Sequence, residues 1–214
     1  AIVGLSSANS YYNRERTVET VAWATRCFEH TTAFIPGTLS SHTYEAKGHS
    51  PAKARRKARL SANRLARFAE EGGALRGEAT GTLAIPRWNA DIRPDPVFRE
   101  QLRRVRERFQ DSAPFRAEVY DTCRAVATNN RRPDATASVE ESVGVASEFL
   151  LRELAFLWRC DEVLGVDGPM VYVYHKRWPV FERFADGQFF EDGRALENVG
   201  FMVVTMTRRE LGAW

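Results

Sequence analysis

The 214-residue chain is 43% hydrophobic and 28% charged with a net charge of +3, a balance that is ordinary for a globular protein and far from that of disordered or membrane proteins. At this length we expect one domain over residues 1–214 that buries its own core. The longest apolar runs, such as Phe149–Leu151, meet a charge within a few residues, so no membrane span is predicted.

The first part of the chain alternates strand and helix patterns. Ala1–Ser6 alternates small and β-branched residues, which predicts a buried strand that runs into a turn. A helix over 13–30 and a strand over 33–36 follow. Ser50 as N-cap and Pro51 at the first helical position predict a long helix, and Gly72–Gly73 predicts its end.

The rest of the chain continues this alternation. The patterns predict a strand over 79–85, helices over 94–110, 115–128 and 139–158, a strand over 170–174, a helix over 178–190 and a strand over 200–206. Strands that alternate with helices predict an α/β fold, a mostly parallel sheet with helices on both faces. The polar segment Asn129–Pro133 is predicted to be a mobile loop.

Positive charge is concentrated in two segments. Residues 51–69 carry seven Lys or Arg and no acid, and residues 98–110 carry five Arg and two Glu, so the remainder is acidic. A cationic helix face opposite an alanine-rich face predicts phosphate contacts, with an ordinary solvated face as the alternative. The predicted polyanion-binding residues are Lys53, Arg55, Arg56, Lys57, Arg59, Arg64 and Arg67, and Arg99, Arg103, Arg106 and Arg108 could extend them.

Several site classes have no signature in this sequence. There is no dinucleotide or phosphate-binding glycine loop and no metal-binding cluster, so we expect neither a cofactor nor a metal. The three cysteines form no C-x-x-C pair, which favours a reducing cytoplasm over a disulfide framework. Because the first residue is Ala1 and not Met, we expect that native residues precede it.

A serine-rich turn lies where the first strand ends. Ligands of open parallel sheets bind beyond the carboxyl ends of the strands, which makes Ser6 a candidate functional residue. The alternative is that serines here only satisfy the backbone of the turn. A hydrolase elbow is disfavoured because Ala8 replaces the second glycine of G-x-S-x-G.

The string Gly4-Leu5-Ser6-Ser7-Ala8-Asn9-Ser10-Tyr11-Tyr12 resembles the G-x-S-x-x-N-S-Y-F/Y signature of cyclodipeptide synthases. Two further blocks, Glu153-Leu154-Ala155-Phe156 and Tyr172-Val173-Tyr174-His175, follow in the family's order. The resemblance covers nearly the whole chain. It implies a Rossmann-like fold similar to the catalytic domain of class I tyrosyl- and tryptophanyl-tRNA synthetases, whose H-I-G-H and K-M-S-K-S motifs are missing here.

The resemblance also assigns roles to individual residues. It implies that Ser6 is the nucleophile, that Glu153 binds the aminoacyl amino group and that Tyr174 is a catalytic hydroxyl. The remaining implied site residues are Gly4, Asn9 and His175 around the serine, and Ile2, Phe34, Phe98, Phe149, Phe156 and Tyr172 around the aminoacyl group. Asn9 together with Tyr174 resembles the subfamily that carries Asn after the serine. Phe149 and Phe98 stand where the family often has Tyr, so two hydroxyls that help to hold the aminoacyl group are lost.

The implied activity uses two aminoacyl-tRNAs for each product. The first acylates Ser6, the amino group of the second attacks that ester, and intramolecular attack closes a diketopiperazine ring. The esters are already activated, so no cofactor or metal is implied, and we expect a cytoplasmic monomer. The alternatives are a tRNA-binding module without catalysis and a serine hydrolase acting on small esters.

Two observations on the residues themselves bear on these roles. Glu153 lies among leucines, and a carboxylate in apolar surroundings requires a cationic partner, either an incoming ammonium group or an arginine such as Arg152. Tyr172 and Tyr174 alternate along a strand and are predicted to face one side of the sheet, as catalytic groups or as core.

Overall fold

A five-stranded parallel sheet forms the centre of the fold, as predicted. The computed structural model describes residues 1–75, 77, 81–129, 131–189 and 199–204. The strands are β1 (Ile2–Gly4), β2 (His30–Phe34), β3 (Thr82–Ala84), β4 (Met170–Tyr174) and β5 (Val199–Val203). Their order is β3-β2-β1-β4-β5, and all four neighbouring pairs are parallel. The strand order reverses between β1 and β4, which is where ligands bind in sheets of this kind.

Helices precede and follow the strands in the predicted alternation. They are α1 (Arg14–Cys27), α2 (Ser41–Ala46), α3 (Pro51–Ala74), α4 (Pro96–Asp111), α5 (Ala113–Thr128), α6 (Val139–Trp158), α7 (Cys160–Leu164) and α8 (Pro179–Ala185). Side chains of Asn13, Asp95, Ser112 and Ser138 cap α1, α4, α5 and α6, which fixes where these helices begin. Short elements were not predicted: α2, α7, a 3₁₀ turn over Gly37–Ser40 and a π-turn over Trp88–Ile92.

The long basic helix ends at Ala74, one residue after its predicted stop at Gly72–Gly73. Helix α3 continues through both glycines to Ala74. A Cβ atom at Gly72 would lie 2.5 Å from the carbonyl oxygen of Val18 in α1, and one at Gly73 would lie 2.5 Å from Cδ2 of Leu83 in β3. The glycines therefore let α3 pack closely on its neighbours, which outweighs their low helix propensity.

Other predicted boundaries are only partly within the described residues. The predicted strand 79–85 is β3, Thr82–Ala84, and its residues 79 and 80 lie outside the described part. The predicted helix 178–190 ends earlier, at Ala185, before a glycine at position 187 with a φ of 73°. Residue 190 of this predicted helix lies outside the described residues, and so do residues 205–206 of the last predicted strand.

The predicted mobile loop at Asn129–Pro133 is held at two places. The backbone N–H of Arg132 donates to the carbonyl oxygen of Lys47 at 3.1 Å. Nη1 of Arg131 donates to Oγ of Ser142 at 2.8 Å. Asn130 lies outside the described residues. These bonds connect the segment to the chain after α2 and to the start of α6.

Helix α6 runs through the core and carries a functional candidate into it. Its buried residues include Leu150, Leu154 and Phe156, and the ring of Phe156 stacks on Phe34 of β2 with 4.4 Å between centroids. The same buried set includes Glu153. Neither this helix nor any other in the described ranges is long and apolar enough to cross a bilayer.

Candidate active site

A cavity of about 580 Å³ opens beyond the carboxyl ends of β1 and β4, at the reversal of strand order. It brings together Ser6, Asn9, Phe149, Glu153 and Tyr174, five of the residues that the sequence singled out. The other lining residues are Ala8, Ser10, Thr43, Lys47, Thr122, Cys123, Ala125, Val126, Asn129, Ala146, Leu150, Lys176, Trp178 and Pro179. Residues far apart in sequence therefore share one pocket.

The loop that carries Ser6 is held by backbone contacts on the side of α2 and α3. The carbonyl oxygen of Ser7 accepts from the Tyr44 hydroxyl at 2.7 Å and from Oγ of Ser61 at 2.8 Å. Nζ of Lys47 donates to the carbonyl oxygen of Ala8 at 2.9 Å. Tyr44, Lys47 and Ser61 were not predicted, because nothing in their sequence positions indicates that they meet this loop. Together they fix the loop while Ser6 lines the cavity.

Asn9 and His175 form a neutral network beside the serine. Oδ1 of Asn9 accepts from the backbone N–H of Tyr11 at 3.0 Å, which orients the amide so that Nδ2 donates to Nε2 of His175 at 3.2 Å. The ring proton of His175 therefore belongs on Nδ1, which lies 3.1 Å from the Tyr12 hydroxyl oxygen. Burial lowers the pKa of His175 to about 4, helped by the charges of Lys176 and Arg16, so the ring is neutral at pH 7. His175 is not among the cavity-lining residues.

Tyr174 is the phenol that faces the serine. It is buried at the end of β4 and lines the cavity. Burial and the charge of Glu153 raise the pKa of Tyr174, and hydrogen bonding with Asn9 and Ser6 opposes this rise. The hydroxyl therefore stays protonated at neutral pH and can donate a hydrogen bond to developing negative charge on a substrate oxygen.

Glu153 is a buried carboxylate at the inner wall of the cavity. Its side chain accepts from the Tyr172 hydroxyl at 3.1 Å, and the residue is 7% exposed. Burial raises the pKa of Glu153 to about 7, with the Tyr172 bond acting in the opposite direction. Arg152, the alternative partner, pairs with Glu148 instead. Within the described ranges no cationic side chain pairs with Glu153, which leaves the carboxylate available to a bound cation.

Gly4 and most of the predicted aminoacyl-pocket residues are buried and do not line the cavity. They are Gly4, Ile2, Phe34, Phe98, Phe156 and Tyr172. Phe34 and Phe156 stack on each other, and Phe98 packs edge-to-face on Trp88 with centroids 5.2 Å apart. These rings thus pack against other aromatic rings of the core. Their part in choosing the amino acid stays a prediction.

An apolar part of the cavity wall was, apart from Phe149, not predicted from the sequence. It consists of Cys123 and Val126 from α5 and Ala146, Phe149 and Leu150 from α6. The periodicity of both helices indicates only that these residues are apolar and face inward, so wall and core residues look alike in the sequence. Burial raises the pKa of the Cys123 thiol to about 12, which makes this cysteine an unreactive wall residue.

The seven cations of α3 are all exposed. None of Lys53, Arg55, Arg56, Lys57, Arg59, Arg64 and Arg67 forms an ion pair in the part of the chain that the structure describes. Nζ of Lys57 lies 5.6 Å from the ring centroid of Tyr44, the residue that holds the Ser7 carbonyl. The cationic face is thus next to the serine loop.

The suggested extension along α4 stays a prediction, and most of its members already have partners within the protein. Arg103 pairs with Glu100 and Glu107, and Arg106 pairs with Glu148. Nε of Arg108 donates to the carbonyl oxygen of Phe189. These guanidinium groups are already engaged by the protein's own acceptors, which leaves Arg99 of the four.

No group of three or more His, Cys, Asp or Glu that could hold a metal ion occurs among the described residues. Cys27, Cys123 and Cys160 are free thiols. The polar groups that the cavity presents are side-chain hydroxyls, two amides, two lysine amines and one carboxylate, beside an apolar wall.

Comparisons with known proteins agree with this geometry. The family model for cyclodipeptide synthases matches residues 1–206. Cyclo(L-leucyl-L-leucyl) synthase of Staphylococcus haemolyticus is 21% identical over 206 residues, covering 95% of this chain and 86% of that protein. Cyclo(L-leucyl-L-phenylalanyl) synthase of Streptomyces noursei is 26% identical over 172 residues, covering 80% of this chain and 68% of that protein.

Solved structures share the fold. A cyclodipeptide synthase structure from Staphylococcus haemolyticus superposes with a TM-score of 0.79 at 19% identity, covering 96% of this chain and 90% of that one. A Mycobacterium tuberculosis structure, with a TM-score of 0.73, 24% identity and coverage of 96% and 85%, is described as showing that cyclodipeptide synthetases are related to type I tRNA synthetases. A synthase from Candidatus Glomeribacter gigasporarum bound to Phe-tRNA has a TM-score of 0.65 at 16% identity, covering 96% and 88%.

Proposed function

We propose that this chain, which belongs to the cyclodipeptide synthase family and makes cyclic dipeptides, forms them by acyl transfer through Ser6. The observation that carries the proposal is the meeting of Ser6, Tyr174 and Glu153 in one cavity at the ends of two adjacent strands. Neither a tRNA-binding module without catalysis nor a serine hydrolase is supported by the family match.

In the proposed first step, Oγ of Ser6 attacks the ester carbonyl of an aminoacyl-tRNA. The bond from that carbonyl carbon to the ribose oxygen breaks, and the proton of Ser6 ends on the released ribose hydroxyl. Tyr174, protonated and next to Ser6, donates a hydrogen bond to the oxygen that gains charge. The amino group of a second aminoacyl-tRNA then attacks the Ser6 ester, so that a peptide bond forms, the bond to Oγ breaks and the amine proton ends on Ser6. The amino group of the first residue next attacks the remaining tRNA ester, which closes the ring and releases the second tRNA with the proton on its ribose hydroxyl.

Glu153 is proposed to hold the ammonium group of the amino acid on Ser6. A buried carboxylate without a cationic partner is costly, and a substrate ammonium removes that cost only when it is bound. Holding both the carbonyl at Ser6 and the ammonium at Glu153 orients the ester for attack, and such placement supplies a large part of catalysis in acyl transfer.

Aminoacyl-tRNAs are the proposed substrates, two for each product. The proposal is supported by the exposed cations of α3 beside the serine loop and by the relative that was solved with Phe-tRNA. We also place the chain in the subfamily that carries Asn after the serine, a proposal supported by the bond between Asn9 and His175. In this role both residues orient the serine loop and Tyr174, and neither reacts.

The test of the proposed function is incubation with a full mixture of charged tRNAs. The products are analysed for diketopiperazines, and the protein is quenched and digested to find an aminoacyl group on the peptide that contains Ser6. Product formation with an adduct on that peptide supports acyl transfer. Product formation with an adduct elsewhere, or with none under single-turnover conditions, contradicts it.

Replacing Arg56 and Lys57 of α3 together by Ala should weaken tRNA use and leave the fold intact. For each cation removed from a phosphate, the slope of log affinity against log salt should fall by about one, and KM for tRNA should rise roughly tenfold at moderate salt. Arg103→Ala is the matched control, because this exposed arginine is already paired with Glu100 and Glu107. If the double variant and the control show the same salt slope, α3 is not part of the tRNA-binding surface.

Replacing Ala146 by Leu should change which amino acids enter the product. Ala146 is buried and lines the cavity together with Cys123 and Leu150, so the larger side chain extends into the cavity. We expect products with bulky side chains to decrease by roughly tenfold relative to those with small ones. Discrimination of about this size is typical of an apolar pocket whose substrates differ by one methylene group. The measurement is product distribution from a mixture of charged tRNAs. A uniform decrease of all products would mean that this wall does not select side chains.

A further inference from the structure

The carboxylate of Glu153 is held by a hydroxyl from the neighbouring strand, not from its own helix. The Tyr172 hydroxyl donates to Oε1 of Glu153 at 3.1 Å, and both side chains are buried. One turn earlier on α6 stands Phe149, which has no hydroxyl to offer. We propose that Tyr172 is a positioning residue that holds Glu153 ionised and oriented toward the aminoacyl ammonium, and that Gly4 provides the space for its hydroxyl.

The position of Tyr172 is fixed from several sides. Its ring lies 6.1 Å from Tyr174, 6.0 Å from Phe181 and 5.6 Å from Phe201, measured between centroids. Rings packed in this way restrict rotation about the side-chain torsions. The hydroxyl is therefore presented at one place, in reach of the carboxylate.

Gly4 is the residue on β1 that this arrangement requires. The parallel register pairs Ile2 with Tyr172, so the tyrosine side chain lies along β1 and passes over the next residue on the same face. A Cβ atom at Gly4 would lie 2.3 Å from the hydroxyl oxygen and 2.7 Å from the ring carbon that bears it. Any side chain at this position must displace the hydroxyl from Glu153. The glycine two residues before the serine thus acts on the carboxylate through Tyr172.

The chemical consequence concerns the charge of Glu153 near neutral pH. Burial favours the protonated carboxyl, and the hydrogen bond from Tyr172 favours the ionised one. A protonated Glu153 has no charge with which to hold an ammonium group. Loss of the Tyr172 hydroxyl should therefore remove substrate binding at neutral pH and restore it at higher pH.

The phenols and the thiol near Glu153 do not titrate in this pH range. From β4 and the loop before α1, Tyr172, Tyr174 and Tyr12 face it as phenols whose pKa values are raised by burial. From α5, Cys123 has its pKa raised to about 12. The cavity-lining cations Lys47 and Lys176 have pKa values lowered by burial from about 10.5.

The test is the pH profile of kcat/KM for Tyr172→Phe, which keeps the ring and removes the hydroxyl. The inference rests on the proposed function, so wild-type activity should fall as pH is lowered through about 7. This fall is the acidic limb of the profile, and in Tyr172→Phe it should lie at a pH about one unit higher, because one hydrogen bond to a carboxylate shifts its pKa by about that much. Activity should recover at alkaline pH. Gly4→Ala should move the limb in the same direction.

A rescue variant separates positioning from simple loss of structure. Phe149→Tyr placed in the Tyr172→Phe background supplies a hydroxyl from one turn earlier on α6, and the limb should return toward the wild-type position. An unmoved limb in Tyr172→Phe, or equal loss of activity at every pH with no rescue, would overturn the inference. If the wild-type enzyme carries no adduct on Ser6, the proposed function fails instead, so the two failures are distinguishable.

Discussion

Ser6→Ala is expected to lower the rate of cyclic dipeptide formation by roughly 10³-fold or more, the size of effect seen when a covalent nucleophile is removed. Ser6 lies at the cavity, at the carboxyl end of β1, and the loop around it is held by Tyr44, Lys47 and Ser61. Removal of one hydroxyl leaves these contacts and the fold unchanged. The aminoacyl adduct on the protein should disappear together with the product, as measured by mass spectrometry of both.

Ser7→Ala is the matched control for this experiment. Oγ of Ser7 is buried and has no hydrogen-bond partner within the described ranges, whereas the contacts of Ser7 with Tyr44 and Ser61 use its backbone carbonyl. Its replacement should therefore leave product formation within about twofold and stability equal or slightly higher, because a buried unsatisfied hydroxyl is removed. Retained activity in Ser6→Ala, or an adduct that survives it, would disprove the acyl-serine route.

Glu153→Gln is expected to separate activity from stability. The amide keeps an acceptor for the Tyr172 hydroxyl but has no charge for an ammonium group, so kcat/KM at pH 8 should fall by roughly 10²-fold, the cost of losing a buried charge pair. At the same pH the variant should be more stable than the wild type, as measured by denaturant unfolding.

The sign of the stability change follows from the direction of the pKa shift. The pKa of Glu153 in the folded chain, about 7, lies above its ordinary value of 4.5, so the folded state binds this proton more tightly than the unfolded state. Its contribution to stability is therefore present at acidic pH and is lost as pH rises from about 4.5 to 7. Above pH 7 the ionised Glu153 costs on the order of 3 kcal/mol, which glutamine avoids.

Glu148→Gln provides the control on the same helix. Glu148 is partly exposed and pairs with Arg106 and Arg152, so its loss should cost roughly 1 kcal/mol or less of stability and leave kcat/KM nearly unchanged. If Glu153→Gln were less stable than the wild type at pH 8, the carboxylate would have a cationic partner in the free enzyme. If its kcat/KM were unchanged, Glu153 would have no part in holding the substrate.

The sequence indicated the reactive residues better than it indicated their surroundings. The block around Ser6 and the pair of tyrosines on β4 could be read as local patterns, because strand periodicity places residues two apart on one face. The partner of Glu153 could not be read in this way. Tyr172 was interpreted as an aminoacyl-pocket residue, and its bond to the carboxylate depends on how β4 packs against α6.

Glycine shows the same distinction between local and tertiary causes. Gly72–Gly73 predicted the end of a helix, yet α3 continues through them because they face α1 and β3 at short distance. Gly4 was assigned to the serine turn, yet what it makes room for is the side chain of a residue 168 positions later, above β1. In both cases the role of the glycine is set by the residue that packs against it, and that residue lies too far away in the sequence to be part of a local pattern.

By itself the sequence determined the alternation of strands and helices, the position of Ser6 at the end of β1 and the basic face of α3, since each depends on residues that are close in the chain. The tertiary structure alone decided which cations remain unpaired, which aromatic residues fill the core and which hydroxyl reaches Glu153. The physical reason is that charge pairing, close packing and burial of a carboxylate are properties of groups brought together from distant segments, and their energies depend on distances that folding sets.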